Sequence, residues 1–206
     1  MLRVNGKFNI SGEFACGDKS ISHRALILAS IAEGNSVIRN LSVCQDVLST
    51  AKCLRALGAE INIENGVAYV TPIKKANNGV ILDCGNSGTT ARLLAGLVAG
   101  LGVRAKFTGD ETLVKRPMER VLKPLEKMGA KFKRYKNGLF ESCGGSLLGS
   151  EIVAEVNSAQ VKSAVLIAGL FAAGVTVYCE KLPTRNHTEL MLYGCGADIK
   201  SDGLNI

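Results

Sequence analysis

The stretch RALGAEI, residues 55–61, closes a helix-like run on a glycine and then opens an apolar strand. The chain does this twice more, in EKMGAKF (126–132) and LYGCGADI (192–199), so that Gly58, Gly129 and Gly196 stand 71 and 67 residues apart. Each is followed by an Asn-Gly or Asp-Gly step between strand patterns, in ENGVAYV (64–70), KNGLFES (136–142) and SDGLNI (201–206). That step is the strongest short-range hairpin signal. Upstream of each lies a second helical run with a glycine-marked end: ALILASIAEGNSVI (25–38), RLLAGLVAGLGVRA (92–105) and SAVLIAGLFAAGVTV (163–177). Gly34, Gly102 and Gly174 repeat with the same period, at spacings of 68 and 72. The unit is therefore strand, helix, strand, helix, hairpin, a βαβαββ pattern read three times. Its period exceeds that of common solenoid repeats, so each copy is a small α/β layer. Three copies around shared helices imply one α/β (α+β) domain with pseudo-threefold symmetry, with repeats at about 17–75, 80–145 and 150–206. The third copy stops at Ile206 with its hairpin barely begun, which reads as a truncated piece.

Composition narrows the partners. The 206 residues are 47% hydrophobic and contain four prolines, which fits a folded chain. A net charge of +7 calls for an anionic partner. No Lys/Arg block exceeds two residues and aromatics are 5%, so neither a dense basic stripe nor a base-stacking surface is written here. Small anions fit better than nucleic acid. The seven cysteines (16, 44, 53, 84, 143, 179, 195) are odd in number, without a C-x-x-C, and accompany only two histidines. No metal, cofactor or disulfide framework is expected, and reduced thiols suit a cytoplasmic protein. MLRVNGKFNI lacks the apolar core of a signal peptide. The uncharged run from Ser163 to Cys179 is 17 residues long and broken by Gly169 and Gly174, which suits a buried helix and strand, not a membrane span.

A polar knot opens each first helix: GDKSISHR (17–24), GNSGTTAR (85–92) and NSAQVKS (157–163). Each joins small hydroxyl or amide residues to a cation, Lys19 and Arg24, Arg92, and Lys162. A helix N-terminus offers unpaired N–H groups and about half a positive charge, which attract phosphate or carboxylate. Any one knot could be an ordinary cap made by Ser20, Asn86, Thr89 or Ser158. Three in register would share one end of the domain and form an anion-binding face. Lys115 and Arg116 stand in a further loop, TGDETLVKRPM (108–118), ended by Pro117. LPTRNHTELM (182–191) takes the corresponding place in the third repeat and brings Arg185, with His187 read as a cap or surface residue. Asp46 reads as a helix cap, and Asp18, Asp83 and Asp110 form no acid–base pair.

GDKSISHRALILASIAEG, LDCGNSGTTARLLAGL, GDETLVKRPMERVLKPLEKMGA and SAQVKSAVLIAGL with TRNHTELM together resemble the 5-enolpyruvylshikimate-3-phosphate (EPSP) synthase family, in the family's order and over nearly the whole chain. The Cys16 before Gly17 replaces the family's usual proline. UDP-N-acetylglucosamine enolpyruvyl transferase shares the inside-out α/β fold, but its cysteine-bearing loop has no counterpart here. The resemblance implies transfer of enolpyruvyl from phosphoenolpyruvate to the 5-hydroxyl of shikimate 3-phosphate. It implies that Lys19 touches both substrates, that Ser20, Arg24, Ser158 and Gln160 hold shikimate 3-phosphate, and that Arg185 approaches its phosphate. Gly88 would line the phosphoenolpyruvate pocket, where glyphosate competes, and Arg116 would bind phosphoenolpyruvate. Asn86, Thr89 and Arg92 would support the loop. Residues 1–16 would be leading strands from a second domain, and 17–206 the N-terminal domain. The catalytic acid–base groups would belong to an absent C-terminal half, leaving this chain inactive alone. A non-catalytic anion-binding module, or half of a split protein, is the competing expectation.

Overall fold

The protein is described by a computed structural model over residues 17–135 and 139–206. The first repeat runs α1 (Lys19–Ala29), β1 (Ser36–Ile38), α2 (Gln45–Leu57), β2 (Glu60–Glu64) and β3 (Val67–Thr71). The second runs β4 (Val80–Asp83), α3 (Gly88–Leu101), β5 (Arg104–Thr108), a short α4 (Glu111–Val114), α5 (Glu119–Lys127), β6 (Phe132–Arg134) and β7 (Phe140–Cys143). The third has β8 (Glu151–Val153), α6 (Ala159–Gly169), β9 (Val177–Cys179) and α7 (His187–Gly194). Residues 1–16, expected as leading strands, and the expected turn at 136–138 lie outside the described residues.

Pairing repeats with the sequence. β4 and β5 are parallel, as are β8 and β9. β1 pairs antiparallel with β3, and β5 with β7. In the third copy, Tyr178 of β9 and Ile206 exchange backbone hydrogen bonds of 2.8 and 3.0 Å, so the last residues begin the same antiparallel partner. The β2–β3 turn is made by Asn65 and Gly66 at φ of 51° and 76°, the mirror-image geometry that a tight hairpin requires. The three marker glycines behave alike, with φ of 111° at Gly58, 102° at Gly129 and 82° at Gly196. A side chain there would cost strain, which is why glycine recurs at this point of every copy.

The first helix of each repeat lies inside. On α3 the side chains of Leu93, Leu94, Leu97 and Val98 are fully buried, and α1 from Ser22 and α6 from Val161 onward are buried as well. A helix buried on all sides needs neighbours on all sides. These come in rotation. The outer helix α2 packs between α1 and α3, α5 between α3 and α6, and α7 between α6 and α1. That closed cycle is the pseudo-threefold symmetry, with helices at the centre and sheets outside. The run from Ser163 to Cys179 resolves into most of α6 followed by β9, as the sequence indicates. Among the described residues no helix is long and apolar enough to cross a membrane.

A backbone-to-backbone contact joins α3 to α6. A Cβ built on Gly96 would stand 2.2 Å from the Ala164 carbonyl oxygen, so glycine lets the two backbones touch. Close by, the first two repeats are tied by a buried polar chain. His23 Nδ1 meets Thr50 Oγ1 at 2.7 Å, Thr50 Oγ1 meets Thr90 Oγ1 at 2.7 Å, and the Thr90 hydroxyl donates to Ser87 Oγ at 2.7 Å. The His23 ring is wholly buried, and its burial pushes the imidazole down to about 4.

Three outcomes are expected. Gly96→Ala drives a methyl into backbone and should cost about 2–3 kcal/mol in urea unfolding, the upper range for overpacking. Gly194→Ala meets open space on an outer helix and should instead gain about 0.5–1 kcal/mol. The buried imidazole sets an acid dependence. Unfolded, it takes a proton near 6.5 and folded only near 4, so in this window the unfolded state binds more protons and stability falls as pH falls. From pH 7 to pH 5 this group should remove about 2 kcal/mol, a loss that His23→Gln abolishes if denaturant curves are compared at both pH values.

Candidate anion-binding site

Three carboxyl or hydroxyl groups cap the three inner helices at the same place. Asp18 Oδ1 accepts from the Ile21 amide at 2.9 Å, Ser87 Oγ from Thr90 at 3.1 Å and Ser158 Oγ from Val161 at 3.4 Å. Ser158 is thus the cap the sequence suggested. Ser20 and Thr89 are not caps. Each lies two residues inside its helix, and exposed Asn86 precedes the true cap, Ser87. Asp46 does not cap α2 either, since Cys44 holds that position and Asp46 belongs to the first turn.

Counted from the caps, Ser20, Thr89 and Gln160 are equivalent, and symmetry brings two of them into contact. Gln160 Nε2 donates to Thr89 Oγ1 at 2.9 Å, and Arg92 Nη1 donates to Gln160 Oε1 at 2.6 Å. Arg92 Nη2 reaches the Pro117 carbonyl at 3.4 Å and so ties the loop carrying Arg116 to α3. Arg116 lies over the start of α3: a Cβ on Gly88 would be 3.1 Å from its Nη1 and 2.9 Å from Arg92 Nη1. Glycine here leaves room for two guanidinium groups. Arg116 is exposed, and among the described residues no carboxylate forms an ion pair with it. Burial first, then the nearby Arg120 and Arg116, lowers the affinity of Arg92 for its proton.

Lys19 closes the other side. Its Nζ is 2.8 Å from Asp46 Oδ2, and that carboxylate raises the lysine above its ordinary value while Arg116 weakly opposes. Lys19 and Arg116 therefore share one electrostatic neighbourhood. Ser20 Oγ sits 3.4 Å from His187 Nδ1, so His187 reaches across from the third repeat and caps nothing.

Arg24 faces inward. It is only 3% exposed, and donates from Nε to Thr188 Oγ1 at 2.7 Å, from Nη1 to the Ser20 carbonyl and hydroxyl at 2.9 and 2.7 Å, and from Nη2 to Ser163 Oγ at 2.6 Å. Burial pulls it down to about 10, Glu189 pushes back, and the charge of Arg185 adds to the depression. Exposed Arg185 thus lies within electrostatic reach of Arg24, on the side of Ser20 and His187.

One expected cation is elsewhere. Lys162, read as the charge of the third knot, is 1% exposed and bonded to Glu180 at 2.9 Å and Glu189 at 2.6 Å. It points into the core because it is the fourth residue of α6, one turn past the cap, where the helix faces its neighbours. Arg92, its supposed counterpart, is the fifth residue of α3.

The repeat spacing also marks partners outside the polar knots. Thr188 stands eight residues before Gly196, as Thr50 does before Gly58, and both hydroxyls bond to an inner helix. The carboxylates near the cations all serve as acceptors. Asp18 caps α1 and Asp46 holds Lys19. Asp83 accepts from the Gly85 amide and Lys52, and Asp110 caps α4. Backbone hydrogen bonding and Lys52 keep Asp83 below the usual carboxylate range, so it stays ionised at neutral pH. Among the described residues no three His, Cys, Asp or Glu side chains gather as metal ligands would. The chemistry on offer is binding and orientation of anions by helix starts, hydroxyls, an amide and flexible cations.

Comparison with known proteins points the same way. The family described as EPSP synthase (3-phosphoshikimate 1-carboxyvinyltransferase) matches residues 3–205. The chain is 47% identical to the 3-phosphoshikimate 1-carboxyvinyltransferase of Sulfurihydrogenibium sp. (strain YO3AOP1), covering 97% of this chain and 47% of that protein. It is 44% identical to that of Alkaliphilus metalliredigens (strain QYMF), covering 98% and 49%. The EPSP synthase structure from Acinetobacter baumannii superposes with a TM-score of 0.86 at 37% identity, over 98% of this chain and 47% of that one. The chain spans about half the length of the relatives it matches. With the fold, the four motifs and 203 consecutive residues in agreement, this chain belongs to the EPSP synthase family.

Proposed function

We propose that this chain supplies the N-terminal half of a cytoplasmic enzyme site that transfers enolpyruvyl from phosphoenolpyruvate to the 5-hydroxyl of shikimate 3-phosphate, releasing phosphate. The observation that carries this reading is the meeting of the inner helix starts with Arg116 across Gly88. Both substrates are multiply charged anions, and the site gathers cations around open helix N-termini. In this reading Arg116 and the backbone at Gly88 take phosphoenolpyruvate, and Lys19 lies between both ligands. Ser20, Ser158 and Gln160 hold shikimate 3-phosphate, and Arg185 meets its phosphate. Arg24 contributes by fixing the Ser20 hydroxyl from below. Thr89 and Arg92 hold Gln160 in place, and Asn86 shapes the turn before the cap.

Proton transfer needs a donor or acceptor poised at the reacting atoms. Asp18, Asp46, Asp83 and Asp110 are all committed to caps, amides or lysines, so a complementary C-terminal half is inferred to bring the acid–base groups. Alone, the chain leaves its anions in water, where Coulomb attraction is screened. It should bind shikimate 3-phosphate weakly and show no turnover. Calorimetric titration with shikimate 3-phosphate, before and after adding the C-terminal half of a relative, tests this. Tighter binding and product formation only in the mixture are expected. Binding without turnover in the mixture would favour an anion-binding module instead. Turnover by the pure chain alone would refute the inactive-half reading.

Two substitutions test the assignment in the reconstituted mixture. Arg116→Ala removes a charge-assisted contact and should weaken phosphoenolpyruvate by about 10- to 100-fold. Gly88→Ala should leave the unfolding midpoint nearly unchanged, because its methyl meets only the flexible ends of Arg92 and Arg116. By displacing Arg116 it should raise the KM for phosphoenolpyruvate, and should raise that for shikimate 3-phosphate less, since the second effect passes only through Arg92 and Gln160.

A further inference from the structure

The segment between β9 and α7 has almost nothing apolar to hold it. From Lys181 to Asn186 no side chain is buried, and Leu182 is 61% exposed. Yet this segment carries Arg185 and leads directly into His187, which meets Ser20. What fastens it is an ion cluster beneath. Lys162 Nζ, projecting from α6, lies 2.9 Å from Glu180 Oε2 and 2.6 Å from Glu189 Oε1, one at each end of the segment. It also donates to the Thr184 carbonyl at 3.4 Å, in the middle. The Thr184 hydroxyl donates to Glu180 Oε1, which completes a loop closed on itself.

We propose that Lys162, with Glu180 and Glu189, is a positioning group that pins residues 180–189 and thereby aims Arg185 at the phosphate of shikimate 3-phosphate. This rests on the substrate reading above, and adds to it three residues that touch no ligand. Stability alone is a poor reason for such a cluster. Burying an ammonium with two carboxylates costs desolvation that apolar side chains of similar volume would avoid. What the cluster does supply is geometry: three bonds from one atom fix both ends and the centre of an otherwise exposed segment. It also supplies charge. Two carboxylates against one ammonium leave a net negative centre, and Glu189 supports the buried Arg24 guanidinium, which Arg185 opposes from within electrostatic reach. With Lys162 removed, those carboxylates would compete with the substrate phosphate for Arg185.

The test compares the chain with Lys162→Met and with the triple variant Lys162→Met/Glu180→Gln/Glu189→Gln, which removes all three charges of the cluster together and guards against misfolding caused by two unpaired carboxylates, while Arg24 keeps its four oxygen acceptors. Affinities for shikimate 3-phosphate and for unphosphorylated shikimate are measured by NMR titration, which reads millimolar binding. Positioning predicts that the preference for the phosphorylated ligand falls, by about tenfold in the single variant and by several-fold in the triple. Equal weakening of both ligands, or none, overturns the proposal. Hydrogen exchange gives a readout independent of any ligand. Amides 181–187 should exchange faster in both variants while those of α3 and α6 keep their protection. Unchanged exchange in the segment would overturn the pin even if binding falls. If the unsubstituted chain binds neither ligand, the substrate reading fails on its own, and the exchange result still decides whether Lys162 holds the segment.

Discussion

The backbone contact between α3 and α6 at Gly96 and Ala164 constrains everything near the site. Because two inner helices touch there, their first turns are brought within side-chain reach of each other. Thr89 and Gln160, separated by 71 residues, become hydrogen-bond partners. From that contact Arg92 is oriented, from Arg92 the Pro117 carbonyl is held, and from that loop Arg116 comes to lie over Gly88. A wider separation of the two helices would break the first link, and the rest would follow. Close packing of the interior is what allows a glycine one helical length away to set the position of an exposed guanidinium.

The inner helices are joined by polar seams as well as by apolar contact. Between the first and second repeats the seam is His23, Thr50, Thr90 and Ser87. Between the third and first it is Arg24, Ser163 and Thr188. Threonine recurs at the same place of the repeat in both seams. In the second repeat that place is Val121, buried and apolar, beside Arg92, whose Nε has no partner among the described residues. Such seams add less net stability than apolar packing, because water would satisfy the same groups in the unfolded chain. They do penalise wrong registers heavily, since a misplaced buried hydroxyl or guanidinium would go unsatisfied. Threefold symmetry leaves near-equivalent packings available, and the seams distinguish them.

The repeat was legible in the sequence because its signals are backbone requirements. Gly58, Gly129 and Gly196 all need positive φ, and only glycine satisfies that cheaply. Hairpin turns, buried inner helices and the convergence of helix starts follow from the same periodicity. The side-chain detail was less legible. Ser20 and Thr89 look like caps, but a cap is defined by where helical dihedrals begin, and Asp18 and Ser87 come first. Lys162 looks like a ligand-binding cation because it neighbours Gln160 and Ser158. One residue of phase on a helix is about 100°, enough to turn it from the open end into the interior. Its partners Glu180 and Glu189 are distant in sequence, and no local pattern marks them.

The excess positive charge of the chain divides by burial, and the division explains how one domain can be both stable and receptive. The two most deeply buried cations are matched: Lys162 by two carboxylates, and Arg24 by four oxygen acceptors. Lys19, Arg116 and Arg185 are exposed, and among the described residues Lys19 alone of the three has a carboxylate at contact distance. Water screens their mutual repulsion while the face is open, so the cost of clustering them is small. Were the face covered, the dielectric would drop and the same three charges would repel strongly unless anions lay between them. Covering the face and filling it with anionic ligand are therefore thermodynamically linked, and each makes the other more favourable. On the proposed reading, a complementary half that covers this surface would do so most readily when the anions are already there.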